Sequence, residues 1–261
     1  MILLLFLIAC EKKNFQRDGH CNNTKLYSIP NYYGYNVIFD SKVQAYWSTP
    51  EGIKRFNRTK YKGDFFRLAH HYRSQKHAVS CGVASATIVI NAIMRSNNAN
   101  MIYKNKDSFG SDKRGIYLGY YNFDENDFLN VIRKIKTVDD IYGKGKNCDS
   151  SYGIDIDEYP VMLEILKIKA KIFHPKNNAF DIAEFRKTLK NVIENDRSFL
   201  IAFYAGHISP IVAYDEISDS VLILDVAEHL NEWVWLNVKA IIKDMASSKY
   251  HGYVVIKNQF N

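Results

Sequence analysis

Four side chains of this sequence have the types and surroundings that nucleophilic acyl transfer requires, and the first is a cysteine. Cys81 directly precedes a strongly apolar segment, GVASATIVINAIMR, at residues 82–95. Apolar residues on nearly every side are typical of a helix that crosses the protein core. A thiol in the first turn of a helix faces unpaired backbone N–H groups and the positive end of the helix dipole, and both favour the thiolate. This position predicts an activated nucleophile, although a lone cysteine is commonly a small buried side chain.

Three further residues could supply the other roles. His207 begins an apolar run, HISPIVAY, and Asp225 ends another, VLILD, where an unpaired carboxylate would be costly to bury. The polar cluster DEISDS between the runs predicts a hairpin, which would bring His207 and Asp225 to the same end of neighbouring strands. An Asp beside an imidazole fixes its tautomer and stabilises the imidazolium. Gln75, six residues before Cys81, could donate its amide to an oxyanion together with the backbone N–H of Cys81.

The elements that must position these residues are predicted from hydrophobic periodicity. Besides 82–95, we predict helices at 126–136, 157–168, 180–194 and 237–247. Strands are predicted at 170–174, 198–205, 207–214, 221–227 and 250–257. The polar, turn-rich residues 97–115 are predicted to form a long loop. Because helices gather early and strands late, we expect an α+β fold rather than a wound parallel sheet.

The composition indicates one folded domain. Of the 261 residues, 47% are hydrophobic and 24% are charged, as in average globular proteins, and no repeat or low-complexity block divides them. The net charge of +7 comes from scattered lysines, without a run of five basic residues. The sequence has neither zinc-finger spacing nor an RNP-like aromatic pattern, so we expect no nucleic-acid partner.

The N-terminal segment has the composition of an export signal. Residues 1–10, MILLLFLIAC, are apolar, and charged residues follow at once. The segment is too short to cross a bilayer as a mature helix, so it fits a secretory leader better; a buried N-terminal strand is the alternative. Its end resembles a bacterial lipobox, in which Cys10 would be lipidated and would anchor the protein to a membrane. We therefore predict a leader at 1–10, a catalytic domain at 11–261, and a periplasmic or membrane-anchored location in a bacterial envelope.

Two cysteines have no role in these predictions. If Cys10 carries lipid and Cys81 is the nucleophile, Cys21 and Cys148 remain. They could pair as a disulfide in an oxidising compartment, although sequence alone does not determine connectivity.

A metal site is a second interpretation of the region around the nucleophile. Four potential ligands lie close together in the sequence: His70, His71, His77 and Cys81. Imidazole and thiolate suit zinc or cadmium, but these spacings match no closed structural zinc pattern. A third interpretation is a surface lipoprotein that only binds, against which the presence of Cys81, His207 and Asp225 argues.

Several segments resemble the phytochelatin synthase family, whose members belong to the papain-like cysteine peptidase superfamily. The main ones are SQKHAVSCGVASATIVINAI (74–93), GHISPIVAYD (206–215) and VLILDVA (221–227). The family has Gln six residues before a Cys-Gly-x-Ala-Ser helix start, then Gly-His-x-Ser-Pro and Leu-Ile-Leu-Asp-Val-Ala. STPEG (48–52) and Phe-Phe-Arg-Leu (65–68) also fit.

This resemblance implies a papain-like fold and a role for each candidate residue. Cys81 would be the nucleophile, His207 the general base and acid, and Asp225 the group that orients the imidazole. Gln75 would be the oxyanion donor. The separation of 18 residues between His207 and Asp225 is that of the family.

The resemblance also implies a reaction. Members of the family remove glycine from glutathione through a γ-glutamylcysteinyl thioester and pass the acyl group to a second glutathione or to water. No cofactor is required for this chemistry, although a heavy-metal ion could act as an activator or as part of a metal-thiolate substrate. The eukaryotic members carry a cysteine-rich C-terminal extension, whereas no Cys follows Cys148 here. We therefore expect the behaviour of the short bacterial members, which mostly hydrolyse glutathione.

Two positions depart from the family pattern. The family has Arg after Asp-Val-Ala and Arg-Gly before the last strand, whereas this chain has Glu228 and His251. Arginine is the side chain best suited to bind carboxylates, so a Glu in its place reverses the sign of the contact. Either another cation compensates, with Lys249 and Arg73 as candidates, or the substrate differs. A papain-like peptidase or amidase acting on another peptide is therefore the alternative function.

Overall fold

A seven-stranded antiparallel sheet forms the middle of the fold, with helices on both of its faces. The computed structural model describes residues 45–96, 123–143, 152–176, 179–204, 206–228, 232–247 and 251–258. The predicted leader with Cys10, the predicted pair Cys21 and Cys148, and the predicted loop at 97–115 lie outside the described residues. Export, lipidation and the disulfide therefore stay predictions.

Most helices lie in the first half of the described chain and most strands in the second half. The helices are α1 (Pro50–Arg58), α2 (Gly63–Leu68), α3 (Cys81–Ser96), α4 (Glu125–Ile132), α5 (Val138–Tyr142), α6 (Tyr159–Glu164), α7 (Ile182–Glu194) and α8 (Val238–Met245). Short 3-10 turns lie at Ala69–His71 and Ile156–Glu158. The strands are β1 (Ala45–Tyr46), β2 (Lys169–Phe173), β3 (Ser198–Tyr204), β4 (His207–Asp215), β5 (Ser220–Ile223), β6 (Val234–Asn237) and β7 (Gly252–Lys257). Their order in the sheet is β1-β6-β5-β4-β3-β7-β2.

Both faces of the sheet are buried, which explains the continuous apolar runs of its central strands. In β3, Leu200 packs with the core under α7 and α8, whereas Ile201 packs with the core under α3. A strand whose successive side chains enter two cores reads as uninterrupted hydrophobic sequence. The α+β prediction is confirmed, and the predicted hairpin forms between β4 and β5.

Several predicted boundaries are wrong, each for a local reason. The strand predicted at 221–227 ends at Ile223, because the backbone at Val226 pairs with the segment before α3 instead of a neighbouring strand. The helix predicted at 157–168 is a 3-10 turn followed by α6, and Lys167 has a left-handed φ of 58°. Hydrophobic periodicity did not predict α1, α2, α5, β1 and β6, which are short.

No helix in the described part of the chain is both long enough and apolar enough to cross a membrane.

Candidate active site

Cys81 is the first residue of α3, as predicted, and its thiol is free and half-buried. The following residue, Gly82, lies against another segment, since a Cβ there would be 3.1 Å from the Cβ of Ile154. The Tyr159 hydroxyl donates to the Gly82 carbonyl at 2.7 Å, and this tyrosine is fully buried. A side chain directly after Cys81 would therefore crowd Ile154, and a buried tyrosine bonds to the first turn of the helix.

α3 is also tied to the strand that carries the histidine. The Ser85 hydroxyl donates to the carbonyl of Ile208 in β4 at 2.9 Å. Because His207 is the residue before Ile208, this bond sets the distance between the start of α3 and the start of β4. The helix that begins at Cys81 and the strand that begins at His207 are thus directly bonded to each other.

His207 and Asp225 form a buried pair. The His207 Nε2 lies 2.8 Å from Asp225 Oδ1, and the two side chains are 1% and 0% exposed. Asp225 Oδ1 also accepts the Ala227 N–H at 2.8 Å, which fixes the carboxylate from a second side. The Ser209 hydroxyl lies 2.9 Å from the same His207 Nε2. With Nε2 held in this way, Nδ1 is the ring nitrogen left to face Cys81.

The electrostatics of this pair favour an imidazolium. Burial opposes the charged ring, but the charge and hydrogen bond of Asp225, followed by a hydrogen bond to Cys81, raise the pKa of His207 to about 10. A histidine that stays protonated beside a cysteine stabilises the thiolate through an ion pair. Cys81, His207 and Asp225 are therefore arranged for nucleophilic chemistry at neutral pH.

Two residues that the sequence analysis did not assign support Asp225. The Tyr72 hydroxyl donates to the Asp225 carbonyl at 2.7 Å, and Trp233 packs against Tyr72. The Tyr72 and Trp233 rings pack edge to face with centroids 5.2 Å apart. Ser209, which lies near the His207 ring, could have been predicted from the sequence, because it is two residues after His207 and so lies on the same face of the strand. No local pattern marks Tyr72, which is 153 residues from Asp225.

Gln75 lies in the loop that leads into Cys81, and its amide is turned toward that loop. The Gln75 Nε2 donates to the carbonyls of His77 at 2.8 Å and Ala78 at 3.2 Å. Its Oε1 is buried and has no hydrogen-bond partner among the described residues. The Gln75 backbone N–H bonds to the Val226 carbonyl at 2.8 Å, which joins this loop to the segment that carries Asp225.

The side chains of the metal interpretation do not converge on one point, although the His70 and His71 rings pack edge to face with centroids 5.1 Å apart. His70 Nε2 lies 2.9 Å from an Arg95 nitrogen, whereas the His77 ring stacks on Tyr142. His71 is buried, and burial lowers its pKa to about 4. Among the residues that the structure describes, no group of three or more His, Cys, Asp and Glu side chains could hold a metal ion. The cluster suggested for His70, His71, His77 and Cys81 is thus wrong.

Glu228 and His251, the two residues that differ from the family pattern, have different surroundings. Glu228 is exposed, and its charge contributes, after burial, to raising the pKa of Tyr72. It therefore lies near the support of Asp225. His251 packs against Phe203 with ring centroids 4.7 Å apart, and its Nδ1 is 3.1 Å from the Asp244 carbonyl. Arg73 is exposed and donates to the Tyr72 carbonyl at 2.6 Å, whereas Lys249 lies outside the described residues.

Comparison with known proteins identifies the family. The family model for phytochelatin synthase matches residues 41–252. Glutathione gamma-glutamylcysteinyltransferase 1 of Arabidopsis thaliana is 23% identical over 227 residues, which cover 80% of this chain and 41% of that protein. Glutathione gamma-glutamylcysteinyltransferase 3 of Lotus japonicus is 23% identical over 244 residues, which cover 85% of this chain and 44% of that protein. The chain spans less than half the length of these relatives. Because the family match covers most of the sequence, the chain belongs to the phytochelatin synthase family.

Proposed function

We propose that this protein cleaves a small thiol peptide, with glutathione as the best candidate, through a γ-glutamylcysteinyl thioester on Cys81. The acyl group then passes mainly to water and to a lesser extent to a second thiol peptide. The observation that carries the proposal is the buried His207, which bonds to Asp225 and whose pKa is raised to about 10 by Asp225 and Cys81. The names of the relatives support the same substrate class.

The proposed reaction has two halves. The Cys81 thiolate attacks the carbonyl carbon of the Cys–Gly amide, and the tetrahedral oxyanion collapses as His207 gives its proton to the leaving glycine nitrogen. Water then attacks the thioester while His207 accepts its proton, and the Cys81 thiolate is restored as the γ-glutamylcysteine product leaves. Asp225 keeps the imidazole oriented through both halves and stabilises its charged form.

The oxyanion would be stabilised by the backbone N–H of Cys81 and by the Gln75 amide. For the second donor, the Gln75 side chain must turn one N–H from the His77 or Ala78 carbonyl toward the substrate. Such a change is small, because the loop already brings Gln75 next to the start of α3. Hydrogen bonds in apo sites often become optimal only when the substrate is bound.

We further infer a papain-like arrangement. An antiparallel sheet that carries the histidine, and a core helix that begins at the cysteine, support this inference. Glu228 stands where the family has an arginine, which favours a different cation as the contact of a substrate carboxylate. Arg73, which is next to Tyr72 in the sequence, is the candidate among the described residues. A papain-like peptidase or amidase with another peptide substrate is therefore the second candidate. The proposed chemistry uses no cofactor, and a heavy-metal ion would act as an activator or as part of a metal-thiolate substrate.

The test is to incubate the purified protein with glutathione while following free glycine and the mass of the protein. We expect glycine release and a protein adduct of γ-glutamylcysteinyl mass, both absent in Cys81→Ala. The α-linked peptide Glu-Cys-Gly is the matched control substrate. Cleavage of both peptides at similar rates would favour the general peptidase, and no reaction of Cys81 with either peptide would refute both candidates.

A further inference from the structure

The segment between Gln75 and Cys81 has no regular structure of its own. Residues 75–80, here called the nucleophile loop, lie in neither a helix nor a strand. Inside the loop, the Ser80 hydroxyl accepts the His77 N–H at 3.0 Å, and Gln75 bonds to two carbonyls. A loop without a hydrogen-bond ladder depends on contacts with other elements to keep one conformation.

Glu125, the first residue of α4, provides such a contact from 49 residues away. Its side chain is almost fully buried, with the residue only 4% exposed. Its Oε1 accepts the backbone N–H of Lys76 at 2.9 Å, and its Oε2 accepts the Tyr142 hydroxyl at 3.3 Å. Glu125 thus fixes the start of the loop, at the residue directly after Gln75.

A second layer strengthens this connection. The Tyr142 ring, whose hydroxyl donates to Glu125, stacks on the His77 ring with centroids 4.5 Å apart and an angle of 21°. Glu125 and Tyr142 therefore hold the start and the middle of the nucleophile loop as a connected pair. Burial raises the pKa of Glu125, and hydrogen bonds from the Lys76 N–H, Ser80 and Tyr142 act in the opposite direction.

A neighbouring ion pair on the same loop provides a contrast. The Lys76 Nζ lies 2.6 Å from Asp124 Oδ2, but the two side chains are 53% and 43% exposed. Exposed pairs of this kind contribute little to stability, because water screens them. The Lys76 side chain can therefore be removed while its backbone N–H still donates to Glu125.

We propose that Glu125 is a positioning residue for acyl transfer: its carboxylate holds the nucleophile loop in the conformation from which the Gln75 amide turns to the oxyanion beside the Cys81 backbone N–H. The proposal rests on the proposed function for the use of that loop. Glu125 acts through the loop and does not itself touch the reacting atoms. An amide at this position keeps the shape of the side chain but brings an N–H group against surrounding donors, which would displace the loop.

The test compares two reactions of Cys81 in the full chain. Acylation by p-nitrophenyl acetate passes through an oxyanion, whereas alkylation by iodoacetamide does not. In Glu125→Gln, we expect acylation to slow by about 10- to 100-fold, the size of effect caused by small misplacement of donors. Alkylation should stay within about twofold of wild type, because the Cys81–His207 pair is intact. Lys76→Ala is the matched control, and both of its rates should stay within about twofold.

Hydrogen exchange provides a readout that needs no substrate. The amides of residues 76–80 should exchange faster in Glu125→Gln than in wild type or Lys76→Ala, and Glu125→Asp should be intermediate. Unchanged exchange of these amides would overturn the proposal whatever the reaction rates are. Equal slowing of acylation and alkylation would also overturn it, because Glu125 would then act on the thiol or on the whole fold. If wild type is acylated by the ester but does not cleave glutathione, the proposed function fails and the positioning role of Glu125 stands.

Discussion

The two sides of the candidate site are built in different ways. On one side, His207 begins β4 and Asp225 lies just after the end of β5, and the hydrogen-bonded hairpin of these strands brings the two residues together. On the other side, the nucleophile loop has no ladder; one backbone bond, from the Gln75 N–H to the Val226 carbonyl, joins it to the Asp225 segment, and the side chains of Glu125 and Tyr142 hold the rest. Backbone pairing thus places His207, whereas buried polar side chains do most of the work of placing the loop before Cys81.

The largest expected effect is on the strand side. Asp225→Asn should lower turnover by about 10²- to 10⁴-fold, because the amide neither stabilises the imidazolium nor fixes its tautomer. Since Asp225 raises the pKa of His207 to about 10, its loss should also move the alkaline decline of activity to lower pH. A pH–rate profile of both proteins measures this shift.

The direction of the shift follows from the proton that His207 gives to the leaving group. In wild type the protonated ring persists until the pH approaches the raised pKa of His207, and above it the donor is lost. If activity declines at the same alkaline pH in wild type and in Asp225→Asn, Asp225 does not control the protonation of His207.

A smaller effect is expected on the loop side. Gln75→Ala removes one of two oxyanion donors and should lower kcat by about 10²- to 10³-fold, as for single donors of this kind. Alkylation of Cys81 by iodoacetamide should change little in the same variant. A variant that keeps full turnover would mean that the Gln75 amide serves only the His77 and Ala78 carbonyls.

The smallest effect concerns the support behind the strand side. Tyr72→Phe removes the hydroxyl that donates to the Asp225 carbonyl but keeps the ring that packs on Trp233. We expect a loss of about 1 kcal/mol in the free energy of unfolding, the typical value for one hydrogen bond, and a fall in kcat of less than about tenfold. Urea unfolding and steady-state rates measure the two quantities. A fall in kcat as large as that of Asp225→Asn would show that the backbone hairpin alone does not position the pair.

The sequence predicted the strand side better than the loop side. The apolar runs and the DEISDS turn predict the hairpin, and the structure confirms both the hairpin and the contact of His207 with Asp225. The end of β5 was placed four residues too late, because residues 224–227 continue the apolar run although the strand ends at Ile223. Periodicity reports burial, and buried irregular backbone has the same composition as a strand.

Several properties follow from the sequence by itself: the α+β class, the start of the core helix at Cys81, and the family. They depend on local spacing and on apolar patterns, which the order of residues contains directly. Only the tertiary structure decided that Glu125 holds the nucleophile loop, that Tyr72 supports Asp225, and that the Gln75 amide turns to its own loop. The first two contacts join residues 49 and 153 positions apart, so they depend on how whole elements pack. The third depends on which of several nearby carbonyls the Gln75 amide binds. The sequence does not show which of these carbonyls are buried, so it does not decide between them.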